Sequence, residues 1–599
     1  MNPLSRLRAV VLIALLAGIP ASAQILLSGD WIALQHEDQI ERGPGPDLGD
    51  YLGLPINDAA RLRGESWDSS RLTLQEHQCR VHIVSYIYRG PLSLRIWEEK
   101  DPETQQVIAI RNYISTYEQS RTIWMDGRPH PSPSAAHTFM GFSTGKWEGD
   151  ILTVNTTHLK MGWLRRNGLP ESDRATLVEH FIRHGNYLTH VSLITDPVYL
   201  TETLIKTEDF VIADHDPGNW LWPCEYVEEI TGRPKGEVPN FLPGENPFLK
   251  EFPTRYGIPE ETALGGAEQT YPEYQLKLKA KAGMFASTLS GLSQEQPSES
   301  PPSADVEVLP VQGNVYMLVG KGGNVTLQVG PSGVVMVDTG VAPQADKILA
   351  AIRKLSNKPV KYIINTQADL DHTGGNESLA KVFGSATAVS VVNTPGATAT
   401  QTVAILAHQK VLNRMSAPDG GYPARPTAAW PTDTYVGEEK ELYFNGEGIQ
   451  MFHIPAAHTD GDTIVYFRKS DVVSAGDLFL TDSYPVIDLK RGGSLQGVID
   501  GLNRILDLAI PAHHEEGGTY VIPGRGRICD EFDVVEYRDM LTIFRDRIQA
   551  MIKKGLTLEQ VKAARPTSDY DPEYGATAGP WTTDMFVEAA YKSLTQKRP

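Results

Sequence analysis

The sequence predicts two folded units of different class. Residues 24–286 form an antiparallel β-rich unit and residues 306–599 a layered α/β unit. Three observations carry this reading. At 599 residues the chain is too long for one core. Hairpin signals recur through the first half, whereas strands alternate with helix-length amphipathic runs after residue 306. Between the two lies STLSGLSQEQPSESPPSAD, Ser287–Asp305, which has almost nothing to bury and reads as a solvated linker.

The first 23 residues precede the fold. Arg6 and Arg8 stand before an apolar run from Ala9 to Ile19, followed by Pro20 and Ala21-Ser22-Ala23. A basic start, a short apolar run and an A-x-A site predict a signal peptide cleaved after Ala23, and hence a periplasmic or secreted protein. An uncleaved anchor is the alternative, but the run is short for a bilayer. No later run reaches transmembrane length, so no integral membrane segment is expected in the mature chain. Losing the two arginines takes the formal charge from −19 to −21. So acidic a surface repels phosphate backbones, which excludes nucleic acid as a natural partner. With export, Cys79 and Cys224 are the plausible disulfide pair, leaving Cys529 free.

In the first unit, RTIWMDGRPHP places Asp126-Gly127 between β-prone residues, a hairpin signal. GKWEGDILTVNTTH repeats the form at Gly149-Asp150. TLVEHFIRHGNYLTHVSLI gives two strand-like runs around His184-Gly185-Asn186, and VYLTETLIKTEDFVI continues the pattern. Consecutive hairpins predict an antiparallel meander that can close as a barrel. Its histidines (His130, His137, His158, His180, His184 and His190) lack metal-ligand spacing and read as structural or surface groups. No ligand for this unit can be named from its residues.

In the second unit, VTLQVG and VVMVDTG are strands joined at Pro331-Ser332-Gly333. PQADKILAAIRKL then sets Ile348, Ile352 and Leu355 at helical spacing. VKYIIN is a strand and NESLAKVF a helix. GIQMFHIP, TIVYFRKS and VVSAGDLF are three further strands. Tyr537, Met540, Leu541, Phe544, Ile548, Met551 and Ile552 line one face of a long helix stopped by Gly555, and Thr557–Gln560 is a capping-box pattern.

Ionisable residues crowd one junction. NTQADLDHTGG, Asn365–Gly375, sets Asp369, Asp371 and His372 within four residues where a strand hands over to a helix. VVMVDTG, this segment, AAHTDGD, SAGDLF and VIPGRG follow one another in an order that resembles the metallo-β-lactamase fold over roughly residues 306–530. The resemblance implies an αββα sandwich with a metal site along one sheet edge. Its first motif, H-x-H-x-D-H, reads here Gln367-Ala368-Asp369-Leu370-Asp371-His372. Asp371 and His372 match, as do His458 in AAHTDGD and Asp477 in AGDLF. Asp369 stands for a histidine, Gln367 for another, and Arg525 for the histidine of a PGHG turn.

The implied ligands are therefore Asp369, Asp371, His372, His458 and Asp477, with Gln367 as a weak oxygen donor. Asp338 would brace the loop. This set is harder and more anionic than a site of neutral imidazoles: it tolerates zinc and also suits manganese or iron(II). Arg525 cannot ligate, because a guanidinium stays protonated. It can replace a second metal electrostatically by pairing with Asp371 or a substrate anion. Three converging carboxylates need a positive charge among them, so one divalent ion per chain with Arg525 is favoured over a dizinc centre. The implied activity is hydrolysis of a small-molecule ester, lactone or lactam by metal-activated water, with Asp371 and Arg525 as catalytic residues.

Two other readings stay open. The site could be degenerate and metal-free, held by Arg525 and protons, which makes the unit a non-catalytic binding module. A nuclease would need a basic groove, which the sequence lacks. Asp371-His372 could also be a helix-entry turn favoured by the helix dipole. His513-His514 read as part of a solvated turn, and Cys529 as small packing. Oligomeric state is not legible.

Overall fold

The computed structural model describes residues 25–34, 46–88, 93–214, 226–234, 236–281, 306–384, 403–418, 423–512 and 518–596. The export segment, the 287–305 linker, Cys224 and His513-His514 lie outside these residues. Cys79 is disulfide-bonded, and Cys529 is buried and free.

The first unit is built on strands β1 (Gly29–Ala33), β2 (Leu94–Lys100), β3 (Val107–Ile114), β4 (Gln119–Trp124), β5 (Phe142–Glu148), β6 (Ile151–Thr157), β7 (Gly162–Arg165), β8 (Leu169–Glu171), β9 (Thr176–His184), β10 (Tyr187–Thr195) and β11 (Leu204–Ile212). All but β7 and β8, which form a separate ribbon, close a barrel in the order β1-β11-β10-β9-β6-β5-β4-β3-β2. Alternation explains the closure. In β10 every second residue is buried, and β9 follows the same alternation from Leu177 to Phe181, so each strand turns one face to the interior. Gly149 and Gly185 turn the β5–β6 and β9–β10 hairpins with φ of +63° and +61°, a region glycine enters without strain.

Two expectations change. Asp126-Gly127 makes no hairpin: β4 and β5 pair in parallel through Ile123–Ser143 and Trp124–Thr144, with residues 125–141 as the crossover. The sequence offered a turn but not what the chain paired with next. The unit is also β-rich only as far as Ile212; residues 247–281 form short helical segments.

The barrel interior holds a charged network. Arg121, Glu179, His190 and Glu208 are all at most 4% exposed. Arg121 Nη1 donates to Glu179 Oε1 at 2.8 Å. His190 places Nε2 2.9 Å from Glu179 Oε1 and Nδ1 3.1 Å from Glu208 Oε2.

The second unit has two sheets. Strands β12 (Glu307–Gln312), β13 (Val315–Val319), β14 (Val325–Gly330), β15 (Gly333–Val337), β16 (Val360–Ile364), β17 (Ala404–His408) and β18 (Asp433–Tyr435) lie in that order in one. Strands β19 (Glu439–Phe444), β20 (Glu447–Ile454), β21 (Asp462–Phe467), β22 (Val472–Leu480), β23 (Tyr520–Arg525) and β24 (Cys529–Asp530) lie in order in the other. Val335, Val337, Ile364, Met451 and Val465 pack between the sheets. Helix α1 (Ala345–Leu355) covers the outer face of the first sheet through Ile348 and Ile352. Helices α2 (Leu495–Leu508), α3 (Glu531–Lys553) and α4 (Thr583–Thr595) cover the second through Leu502, Phe544 and Phe586. The result is an αββα sandwich. The capping box at Thr557 and Gln560 is present.

Helix α3 also joins the units. Lys160 Nζ lies 2.7 Å from Asp530 Oδ1 and 2.9 Å from Asp533 Oδ2, and His77 Nε2 lies 2.7 Å from Asp539 Oδ2. No described helix is long and apolar enough to cross a membrane.

The barrel network makes stability depend on pH. Burial works against both charges, but the neighbours win: Glu179 is lowered to about 2 by Arg121 and His190, and His190 is raised to about 9 by Glu179 and Glu208. The His190 contribution is complete below its ordinary 6.5 and is lost as pH rises through 9. The Glu179 contribution is complete above its ordinary 4.5 and is lost as pH falls through 2. Thermal denaturation should show the barrel losing on the order of 1–3 kcal/mol between pH 6.5 and 9.5, and His190→Gln should flatten that limb.

Candidate metal centre

The predicted site residues come from strands of both sheets and from the segments that follow them. Asp338 follows β15, Gln367 follows β16, and His458 follows β20. Asp477 lies within β22 and Arg525 ends β23. Each sheet contributes one parallel pair, β15–β16 and β22–β23, and Gln367 beyond β16 bonds Asp477 of β22, so both sheets contribute to the site.

Asp338 organises the site. It sits at φ +61° directly after β15. Its Oδ1 accepts from Thr366 N at 2.8 Å, and its Oδ2 accepts from Thr366 Oγ1 at 2.6 Å and from His372 Nδ1 at 2.7 Å. The imidazole, 0% exposed, is thereby fixed with Nε2 toward Asp477 Oδ1 at 3.2 Å. Burial alone would lower the pKa of His372, yet Asp477 and Asp338 together hold it well above its ordinary value. Asp477 is pushed up by burial and pulled well below the carboxylate range, first by His372.

His372 Nε2 and Asp477 Oδ1 are both buried, and their only polar contact is the ion pair they make with each other, with no other hydrogen-bond partner. Two ligands of one tetrahedral ion, each about 2.0–2.1 Å from it, lie roughly 3.3 Å apart, so their 3.2 Å separation fits a shared cation. Single ligand atoms of Asp371, His372 and Asp477 all fall within 4.8 Å of one another, and among the described residues no other such grouping occurs. Gln367 donates from Nε2 to Asp477 Oδ2 at 2.7 Å and keeps a buried Oε1 without a partner. At Gly524 a Cβ would collide with Asp477 Oδ1, so glycine lets the backbone pass close to this carboxylate. An imidazole, two carboxylates and an amide oxygen form a donor set that fits one divalent ion.

The remaining predicted residues gather on a second side. His458 Nε2 lies 3.1 Å from Asp369 Oδ2, and His458 Nδ1 meets Val486 O at 2.7 Å. Burial lowers His458, but the bond to Asp369 raises it to about 10. Asp369 also pairs with Arg491 Nη1. Asp369 is the N-cap of the short helix Leu370–Thr373, yet its side chain caps nothing and turns to these partners. Arg525 Nη2 donates to Asp371 Oδ2 at 2.8 Å from a half-exposed position. The structure thus brings Asp371, His372, Asp477 and Gln367 together, and sets Asp369 with His458 and Arg491.

Nothing in the sequence marks Arg491 as a site residue. It stands 122 residues from Asp369, and its local context, DLKRGG, signals only a turn, which Asp488 caps. Cys529 is packed against Arg527 with its thiol raised by burial, which fits a packing role. In the first unit, His130 bonds Thr157 and Thr144, and His137 bonds the Leu159 carbonyl.

The metallo-beta-lactamase superfamily model matches residues 318–564. A linear primary-alkylsulfatase from Pseudomonas sp. (strain ATCC 19151) is 22% identical over 274 residues, covering 40% of this chain and 50% of that protein. The alpha subunit of a 2,4-dinitroanisole O-demethylase from Nocardioides sp. (strain JS1661) is 29% identical over 214 residues, covering 34% of this chain and 56% of that one. The chain therefore spans about half the length of the curated relatives it matches. The solved structure of a stereoselective inverting sec-alkylsulfatase from Pseudomonas sp. superposes with a TM-score of 0.34 at 15% identity, over 48% of this chain and 50% of that one.

Asp338 is the most consequential supporting residue. Asp338→Ala strips acceptors from Thr366 and His372 and leaves alanine at positive φ. Urea denaturation should report a loss of about 2–4 kcal/mol. Asp338→Asn, which tolerates the backbone and keeps one acceptor, should lose roughly half as much.

Proposed function

With residues 318–564 a metallo-β-lactamase superfamily domain, we propose that this chain is an exported hydrolase that uses one divalent ion to cleave a small-molecule ester, lactone or lactam. The carrying observation is the grouping of Asp371, His372 and Asp477, in which two buried polar atoms face each other without other hydrogen-bond partners. These three would hold the ion, with Gln367 Oε1 beside them. Zinc suits the imidazole, and manganese or iron(II) suits the oxygen-rich remainder. When bound, such an ion supplies Lewis acidity and a water acidified for attack.

The chain's own residues would do the rest. Asp338 keeps the proton on His372 Nδ1 and so leaves Nε2 free to ligate. Asp371, one oxygen held by Arg525, would orient the water and take its proton. Arg525, 43% exposed at its side chain, offers its outer N–H groups to a substrate carboxylate or a developing oxyanion. Arg491 neutralises Asp369, which supports one ion in place of two. The basic-apolar N-terminus supports a periplasmic or secreted location. The names of the two curated relatives add alkyl sulfates and O-methyl groups to the substrates worth testing.

The pairing of Asp369 with Arg491 and of Asp371 with Arg525 favours a second reading, a metal-free binding module. Elemental analysis of protein purified without added metal separates the two. The hydrolase reading expects about one equivalent of a divalent ion, and less than about a tenth of that in Asp477→Ala, with turnover lost in parallel. Arg525→His, which adds an imidazole, should slow loss of the ion to chelator. Protein that stays metal-free after dialysis against zinc, manganese and iron(II) is a binding module. Fractionation of expressing cells, with N-terminal sequencing for a start at Gln24, tests export.

A further inference from the structure

A cavity of about 300 Å³ lies far along the chain from the metal centre, walled by the first unit and closed on one side by Phe532 and Glu536 of α3. Its size is at the lower end for small-molecule sites. Its walls are aromatic. Trp67 and Trp163 meet edge to face with ring centroids 4.5 Å apart. The His82 ring stands between Tyr86 at 4.9 Å and Tyr117 at 5.5 Å. Such π faces receive a planar apolar body.

Donors without a hydrogen-bond partner lie on the same walls, beside the carboxylates of Glu229 and Glu536. Trp67 is 4% exposed, and its Nε1–H has no acceptor. Arg80 Nη2 is buried without a hydrogen-bond partner; its guanidinium is flanked by Glu531, 4.0 Å from Nη2, and by Glu536, 3.5 Å from Nη1. Arg63 is 6% exposed. Its guanidinium donates to the Tyr199 hydroxyl at 3.0 Å, lies near the Met161 sulfur and stacks 3.9 Å from the Tyr570 ring centroid. Among the described residues no carboxylate comes within ion-pair distance of it. Asp569 and Glu536 balance its charge only at longer range, so a bound anion would supply the direct ion pair that those carboxylates do not make.

The backbone adds an independent sign. Cys79 and Tyr117 both line the cavity, and both are non-glycine residues at positive φ, +59° and +55°. Strained backbone of this kind persists where the surroundings over-determine it, and it clusters at ligand sites.

We propose that this cavity is a second binding site, separate from the metal centre, for a small aromatic oxyanion: a planar ring held between Trp67, Trp163 and the His82 group, with its carboxylate, sulfonate or sulfate directed to Arg63 and Arg80. The site gives the first unit a recognition role that neither its barrel topology nor its sequence announces. His82, lowered to about 4 by burial and by Arg166, is neutral at physiological pH and does not compete for the anion by its own charge.

Isothermal titration of the full-length protein with 1-naphthoate tests the proposal, with the neutral isostere 1-naphthalenemethanol as comparator. The expected result is one saturable site with a Kd of about 1 mM or tighter for the carboxylate, and roughly tenfold weaker binding of the alcohol. Arg80→Gln should weaken the carboxylate roughly tenfold and leave the alcohol unchanged. Leu72 and Val227, on the exposed rim, allow a plug that spares the core: Leu72→Trp or Val227→Trp should abolish binding at an unchanged melting temperature. The metal content should not change in any of these variants. Absence of saturable binding, equal affinity for the alcohol, or binding indifferent to both plugs overturns the proposal.

Discussion

The Asp338–His372–Asp477 alignment is the constraint from which the rest of the site follows. An imidazole with no solvent exposure lies between two carboxylates, one bonded at 2.7 Å and one facing it at 3.2 Å. Carboxylates withdrawn from water on both sides of a ring require positive charge between them. A proton on Nε2 provides it, and so does a cation bound by the same lone pair. The two compete for one position, and this competition separates a hydrolase from a binding module on the same fold.

Two guanidiniums decide how many positions remain. Asp369 goes to Arg491, which Asp488 also shares, and Asp371 shares Arg525, so Asp338, Asp369, Asp371 and Asp477 face two permanent cations, one of them divided, and two imidazoles. Protonating both histidines would balance them; an ion at His372 replaces one of those protons. The carboxylate crowding that argues for a metal is therefore partly answered by Arg491. The two arginines differ in setting. Arg491 is 6% exposed and acts as a fixed part of the wall, whereas Arg525 is open enough to meet a substrate.

The first unit supports this site through charge as well as packing. Arg527, two residues beyond Arg525, donates to Asp173 of the first unit at 2.8 Å and to Asp533 of α3 at 2.8 Å. Ile528 N donates to the Ser134 carbonyl at 3.0 Å. The turn that carries Arg525 is thus clamped from the barrel side. Lys160 and His77 extend the same contact along α3. Buried ion pairs of this kind add little net stability over apolar packing, but losing one partner leaves the other unpaired. The pairs thus tie the barrel side to the Arg525 turn and to α3 at defined residues.

Much of the architecture was legible because its signals are local. Alternation in β9 and β10, the turns at Gly149 and Gly185, the helix Ala345–Leu355 and the capping box at Thr557 each depend on neighbours a few residues away. The ordered motifs around Asp371, His458, Asp477 and Arg525 placed those residues in one site. What remained illegible was partnership at a distance. Asp126-Gly127 signals a turn, yet only the closed barrel decides that β4 meets β5 in parallel. Arg491 reads as a turn residue until the fold sets it against Asp369, 122 positions away. His77 and Asp539 are separated by 462. By itself the sequence determined periodicity, turns and which chemical groups the site could draw on, because these follow from short-range sterics and burial. Only the tertiary structure decided which cation neutralises which carboxylate and where an unpaired donor is left facing a cavity, because those pairings follow from chain topology.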